Sequence, residues 1–421
     1  MLPKVLARSG YQSYHVGKWH QGFQTAAYTP VGRGFNGSYG FLQGGQDHWT
    51  HWCGASKANC NIAGPDANKA GAWDLWEQST AKFPGAPVLG INGTLNDTAT
   101  YSGYIFTNRV VEIVQQHDAK TPLFVYWAIH NTHAPIEAPE RFVSPYNSFG
   151  DRRKEVFSAM VSAVDEAVLN VTSALKSKDM WANTIFVWTT DNGSPVQVGG
   201  SNHPLKGGKG KNWEGGIRTP AFVCGGFLGP KNRGKLLYGL VAVADWYATF
   251  AVAASGTQAY KTDSSAAAAG LPPPDGLDLW PYISGAVVAS PRTEIVLDHH
   301  MFTNASATNG TCGGQVPFAV PGVAALGALR QGDWKLIVGP EAQAFWYGNF
   351  TPNVSVPFSK RNATPTERCL PGCLYNIAKD MGEVRTPAVR VSYTYCGSSA
   401  ANPYASHSTS TSPASPRTSR S

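Results

Sequence analysis

The 421-residue chain predicts an α/β fold, a mostly parallel, doubly wound sheet followed by a smaller second domain. Three observations lead there. Short apolar runs of strand length recur along the sequence, rich in β-branched and aromatic residues. Long segments with helical periodicity lie between them. Most of the runs end at Gly, Asp, Asn or His, the residues that turn a chain and also carry chemistry.

Tyr14–Val16, Leu123–Ile129, Thr184–Thr189, Ala221–Val223, Glu294–Leu297 and Trp334–Val338 read as buried strands. A helix is expected from about Tyr104 to Gln116, with Ile105, Val110, Ile113 and Val114 on its apolar side. A clearer one runs from about Glu155 to Lys176. There Val156, Phe157, Met160, Val161, Val164, Val168, Val171 and Leu175 recur at spacings of three and four and form one apolar face. Strands alternating with helices favour parallel pairing. Residues 44–100 are rich in Gly, Trp, Asn and Ala, lack periodicity, and read as a long irregular insertion over the sheet edge. An Ala run and Pro-Pro-Pro mark 256–276 as a linker between a first domain, 1–255, and a smaller one, 277–396. Residues 397–421 are Ser, Thr, Pro, Ala and Arg with almost no apolar content, which predicts a disordered tail.

Composition narrows the function classes. An apolar fraction of 42% supports a sizeable core, and 14% charged residues is well below the usual value of about 25%. The net charge of +7 is mild and no Lys/Arg cluster resembles a nucleic-acid-binding arm, so no nucleic-acid partner is expected. No apolar run approaches the roughly 18 residues of a membrane span. None of the 7 Cys pairs with His at zinc-finger spacing, whereas Cys53/Cys60 and Cys369/Cys373 stand close enough for local disulfides. Asn-x-Ser/Thr sequons at Asn36, Asn92, Asn96, Asn170, Asn192, Asn304, Asn309, Asn349, Asn353 and Asn362 point to the secretory pathway, lysosomal or extracellular. The N-terminal residues nevertheless have neither the apolar stretch nor the cleavage pattern of a signal peptide.

Ligands of doubly wound sheets gather outside the carboxyl ends of the strands. After the first run comes Gly17-Lys18-Trp19-His20, and after the second His130-Asn131-Thr132-His133. After the third comes Asp191-Asn192-Gly193, and further on Lys206-Gly207-Gly208-Lys209 precedes Trp213-Glu214-Gly215-Gly216. Asp and Asn oxygens suit a hard divalent cation. Lys offers an anion a point charge, and His can also move protons near neutral pH. Together they describe a site for a metal-bound phosphate or sulfate ester. Each element also has a plainer reading. Asp-Asn-Gly is a common turn, Asn192 heads a sequon, Lys18 and His20 fit a solvated loop around a buried Trp19, and His133 fits a loop hydrogen bond. His15, His48, His51, His299 and His300 read as structural or surface residues.

Over roughly residues 1–340 the chain resembles the type I sulfatases, within them the arylsulfatase B-like branch. The resemblance rests on SYHVGKWHQGF, TPVGRGFNGSYGFLQGGQDHWTH, TPLFVYWAIHNTHAP, NTIFVWTTDNG, PLKGGKGKNWEGGIRTPAFV, ADWYATF, PPDGLDLWPYISG and ALRQGDWKLIVG, in that order. It implies an alkaline-phosphatase-like large α/β domain with a central mixed sheet, plus a smaller C-terminal domain with a short antiparallel sheet. It also implies sulfate-ester hydrolysis by a formylglycine, made by the formylglycine-generating enzyme from a Cys or Ser in a C/S-x-P-x-R motif, with Ca²⁺ bridging that residue and the sulfate. Carried over position by position, Asp191 and Asn192 match the metal pair. Lys18 and His20 match the pair that contacts the formylglycine. His133 and Lys209 match the pair that grips sulfate, and Lys206 fits the spacing less well than Lys209. The substrate class implied is an aryl sulfate or a sulfated saccharide.

The sequence departs from that pattern. It contains no C/S-x-P-x-R motif, and Cys369-Leu-Pro-Gly-Cys373 comes nearest without the Arg. The family's first strand, with its Asp-Asp pair, has no counterpart, and the resemblance fades after about residue 385. The expectation is therefore an incomplete, inactive fragment of a sulfatase, truncated at the front. The alternatives are a non-catalytic relative that folds and binds sulfated ligands, or a two-metal phosphoesterase. Lys209 standing at the second metal's position argues against the phosphoesterase.

Overall fold

The apolar runs become strands close to their expected bounds. The structure is a computed structural model that describes residues 1–53, 72–88, 100–195, 198–257, 267–301, 325–344 and 366–384. In chain order, α1 (Leu2–Ala7) precedes β1 (Gln12–Lys18), β2 (Gly37–Phe41), β3 (Trp52–Cys53), β4 (Ala72–Trp73), β5 (Trp76–Ser79) and β6 (Lys82–Pro87). Next come α2 (Ser102–Gln116), β7 (Leu123–Ala128), α3 (Glu140–Val143), α4 (Arg152–Ser177), β8 (Phe186–Thr189), α5 (Glu214–Ile217) and β9 (Ala221–Cys224). Then α6 (Asp245–Ser255), α7 (Trp280–Ile283), β10 (Glu294–Met301), β11 (Ala325–Gln331), β12 (Trp334–Glu341) and β13 (Glu367–Asn376) follow.

The main sheet has the order β6-β5-β2-β1-β7. β1 runs parallel to β2 and β7, while β5 and β6 add antiparallel at one edge, so the sheet is mixed rather than mostly parallel. This corrects the reading of 44–100 as wholly irregular. Trp76–Pro87 forms a hairpin whose residues stay largely half-exposed or exposed, so pairing with β2 holds it and no apolar alternation marks it in the sequence. The β3–β4 ladder also falls in that stretch, and residues 54–71 and 89–99 lie outside the described ones.

Helices α2 and α4 bury their apolar sides against the sheet. Ile105, Phe106, Val110 and Val114 from α2 and Val171 and Leu175 from α4 pack with Val16, Phe41 and Leu75. Each such burial contributes roughly 1.5–3 kcal/mol. Asp151 starts α4 by accepting the Arg153 N–H at 3.1 Å. Leu123, Val125 and Trp127 of β7 and Phe186 of β8 rest on the same cluster. Yet among the described residues β7 pairs only with β1, and β8 only with β9, antiparallel. Tyr126 of β7 is 50% exposed, whereas Val16 of β1 is at 0%.

The last four strands form an antiparallel sheet in the order β10-β11-β12-β13. The expected Cys369–Cys373 disulfide lies within β13. Cys60, the expected partner of Cys53, lies outside the described residues, as do residues 258–266 of the expected linker, residues 397–421 of the expected tail, and every sequon except Asn36, Asn170 and Asn192. All described residues fall in one compact unit, Met1–Pro387. Buried ion pairs join this sheet to α5. Lys335, wholly buried, donates to Glu214 Oε1 at 3.0 Å and stands 2.7 Å from Glu383 Oε1, while the Glu214 N–H donates to Glu383 Oε2 at 2.8 Å. Among the described residues no helix is long and apolar enough to cross a membrane.

Candidate anion-binding site

Lys18 is the last residue of β1, and the ladder to the β2 side continues past it. The Trp19 N–H donates to Phe41 O at 2.9 Å and the His20 N–H to Leu42 O at 3.1 Å. Gly17, at φ +103°, lets β1 and β7 close up here, since a Cβ would lie 2.0 Å from Ala128 O. The buried Trp19 indole N–H donates to Gly22 O and Tyr28 O at 2.9 and 3.0 Å, which fixes the turn between Lys18 and His20. His20 itself sits at φ +50°, a left-handed conformation that a non-glycine residue holds only when its surroundings impose it.

After β7, His133 donates from Nδ1 to Ala134 O at 2.7 Å, which leaves Nε2 as its exchangeable nitrogen. Behind it lies a buried group. His48 Nδ1 stands 2.6 Å from Ser102 Oγ and its Nε2 3.1 Å from His133 O, and His130 stacks on the His48 ring at 3.9 Å. Burial lowers the His48 imidazole to about 4, so it is neutral at physiological pH.

After β8, Asp191 Oδ1 accepts the Asn192 N–H at 2.9 Å, and Asn192 Nδ2 donates to Gly193 O at 2.9 Å. Gly193 crosses the start of α5 with no room for a side chain, because a Cβ would lie 1.7 Å from Gly215 O, and its N–H donates to Gly216 O at 2.9 Å. The Asn202 side chain ties Ser194 to Gly207 through bonds of 2.8 to 3.0 Å, and that brings the Lys209 loop beside the Asp191 loop.

These loops form one electrostatic neighbourhood. Burial and Lys209 hold the Lys18 ammonium below its ordinary range, with Asp191 opposing them. His20 is lowered by burial, Lys18 and Lys209. His133 is lowered chiefly by burial, with Lys18 and Lys209 adding to it and its bond to Ala134 and the Asp191 carboxylate working the other way. Lys18 and Lys209 thus act on both His20 and His133, Asp191 acts on Lys18 and His133, and the Asn192 N–H is bonded to Asp191. Lys206 is elsewhere. It is buried, paired with Glu367, and lies 3.9 Å over the Trp213 ring. Two ammonium groups and two protonatable imidazoles against one carboxylate make a site that attracts anions.

Asp191 and Asn192 present oxygens of the kind a hard cation takes, but Ca²⁺ needs about 6–8. Among the described residues the one cluster of three His, Cys, Asp or Glu donors is Glu367–Cys369–Cys373, and its two sulfurs are bonded to each other. The donor type fits a hard cation and the donor number does not. The sequence pointed to the residues that follow the strands. It assigned no site role to His48, read as structural or surface, or to Ser102, whose contact with His48 forms only in three dimensions.

The Sulfatase family profile matches residues 1–257, well over half of the chain. The chain belongs to the sulfatase family. This sulfatase-family chain is 34% identical to arylsulfatase J of Mus musculus over 84% of its own length and 53% of the relative's. It is 30% identical to N-acetylgalactosamine-6-sulfatase of Mus musculus, over 67% of itself and 48% of that protein. It therefore spans about half the length of these relatives. Among solved structures, Ps i-CgsB in complex with a neocarrahexaose aligns with a TM-score of 0.62 at 22% identity, covering 91% of this chain and 69% of that one. PsFucS1 sulfatase from Pseudoalteromonas sp. aligns with a TM-score of 0.62 at 20% identity, covering 91% and 68%. Both likenesses show a shared fold, which in this chain is the mixed central sheet with the C-terminal antiparallel sheet.

Proposed function

We propose that the chain grips the sulfate group of a sulfate ester, an aryl sulfate or a sulfated saccharide, and that the protein it represents is a sulfuric ester hydrolase of the secretory pathway. The observation that carries this is the convergence of the loops after β1, β7 and β8, which bear Lys18, His20, His133 and Asp191, with Lys209 tied beside the Asp191 loop through Asn202. Lys18 and Lys209 offset charge on the sulfate oxygens. His133, held by its Nδ1 bond to Ala134, presents Nε2 to the ester oxygen. A cationic form made unfavourable by burial gives its proton up readily to that leaving oxygen. His20 serves as the base beside Lys18. A formylglycine, when present, supplies the nucleophile for sulfur, and its generating enzyme is the partner this reading implies. Asp191 and Asn192 would hold part of the Ca²⁺ shell.

Titrating the chain with inorganic sulfate tests the grip. Lys18→Ala and Lys209→Ala should each weaken binding by about tenfold or more, the scale of a lost charge-assisted contact of roughly 1.5–3 kcal/mol. Parent-like affinity in both variants would refute the site. With Asp191 and Asn192 supplying part of the oxygen shell, Ca²⁺ should bind weakly at best, and micromolar binding abolished by Asp191→Ala would overturn that expectation of weakness. A second reading, sulfate binding without turnover, is favoured by the lack of a C/S-x-P-x-R motif in the sequence. Metal-dependent aryl sulfate hydrolysis by the chain, lost in Lys18→Ala, would exclude it.

A further inference from the structure

The segment after β2 is pinned at both ends. On one side the buried carboxylate of Asp74 accepts the Leu42 and Gln43 N–H groups, at 3.0 and 2.9 Å. On the other, His48 is held by Ser102 through Nδ1, by Glu137 Oε2 through its N–H at 3.2 Å, and by the His133 carbonyl through Nε2. Between these anchors lie Gly44 and Gly45. An ideal Cβ on Gly44 would fall 2.8 Å from Cε1 and 2.9 Å from Nε2 of His20, and one on Gly45 would fall 2.9 Å from Cε1 of His133. Real Cβ atoms essentially never approach so closely. Neither glycine has a left-handed φ, so other residues are compatible with the backbone conformation. What glycine supplies here is room for two imidazoles.

We propose that residues Gly44–His48 position both imidazoles of the anion site, Gly44 seating His20, Gly45 seating the His133 ring, and His48 holding the His133 backbone. The inference rests on the sulfate-gripping reading for its purpose, though not for its geometry. Two rings on separate loops, one after β1 and one after β7, are aligned by one rigid wall. This fixes their separation more tightly than either loop does alone. Gly44, Gly45 and His48 are positioning residues and touch no substrate in this scheme.

The test uses the full chain labelled with ¹³C at histidine Cε1. The His20 and His133 resonances are assigned from His20→Gln and His133→Gln. Gly45→Ala should shift the His133 resonance and leave His20 in place, and Gly44→Ala should do the reverse. His48→Gln should move His133 alone. Each variant should weaken inorganic sulfate binding by at least about tenfold, because displacing a positioned group by an ångström has effects of that order. If Gly45→Ala does not fold, His48→Gln decides for His133, since it adds no bulk at the ring. Resonances that stay put in folded variants, or that all move together in each, overturn the proposal. If the parent chain binds no sulfate but the shifts are selective, the functional reading fails and the positioning stands.

Discussion

Lys206 and Lys209 are three residues apart and face different surroundings. The buried Lys206 ammonium is matched to Glu367 and to the Trp213 ring, so Lys206→Ala leaves a carboxylate without its cation. It should cost about 1–3 kcal/mol in a denaturant melt, because Glu367 is partly exposed and still accepts from the Tyr375 hydroxyl. Lys209→Ala should leave the melt unchanged and weaken sulfate binding instead. The reverse pattern would mean that the two lysines have exchanged roles. His20 and His133 add a pH signature. Both are lowered from the ordinary imidazole value, so both are largely neutral at pH 7 and become cationic only as pH falls below that value. Sulfate affinity should therefore rise on acidification through the mildly acidic range. The rise should shrink in His133→Gln, and a pH-independent affinity in the parent chain would contradict the assignment.

At the scale of elements, the crossing of the Asp191 loop over α5 is the tightest joint in the site. Gly193→Ala places a methyl group against the Gly215 carbonyl, a backbone atom that cannot swing aside. Overpacking of this kind costs about 1–3 kcal/mol, and the displaced Asp191 loop should lower sulfate affinity at the same time. A melt and a titration read both effects, and an unperturbed variant would show the crossing to be looser than drawn. This joint also shows what the sequence could disclose. Lys18, His20, His133 and Asp191 were legible because each follows an apolar run, and strand ends are where such sheets expose their loops. The β5–β6 hairpin was not, because its residues are neither alternating nor well buried. His48 reads only as a structural or surface histidine because its partners, Ser102 and His133, are 54 and 85 positions away. Gly44 and Gly45 carry no side chain for a pattern to register, and their meaning is the space they leave.

At the scale of the molecule, β7 and β8 rest on one core cluster, and among the described residues β7 pairs on one edge alone, with β1. Unpaired edges of this sort favour association with another extended chain. Backbone amides on the open edge of β7 should exchange with solvent well before those bonded to β1, and the chain should self-associate as its concentration rises. Uniform protection along β7 would rule the open edge out. The Lys335 cluster has a different kind of consequence, one that concerns time. Glu214 abuts the Lys209 loop, yet its cation stands 121 positions later and Glu383, which accepts its N–H, 169 positions later. A ribosome adding about 5–20 residues per second needs roughly 10–30 s to cover the longer interval. Throughout that interval the nascent chain already carries every residue of the anion site but lacks the clamp that closes the last loop over it. The site is therefore finished only after Lys335 and Glu383 have been added, and until then Glu214 is a carboxylate awaiting burial.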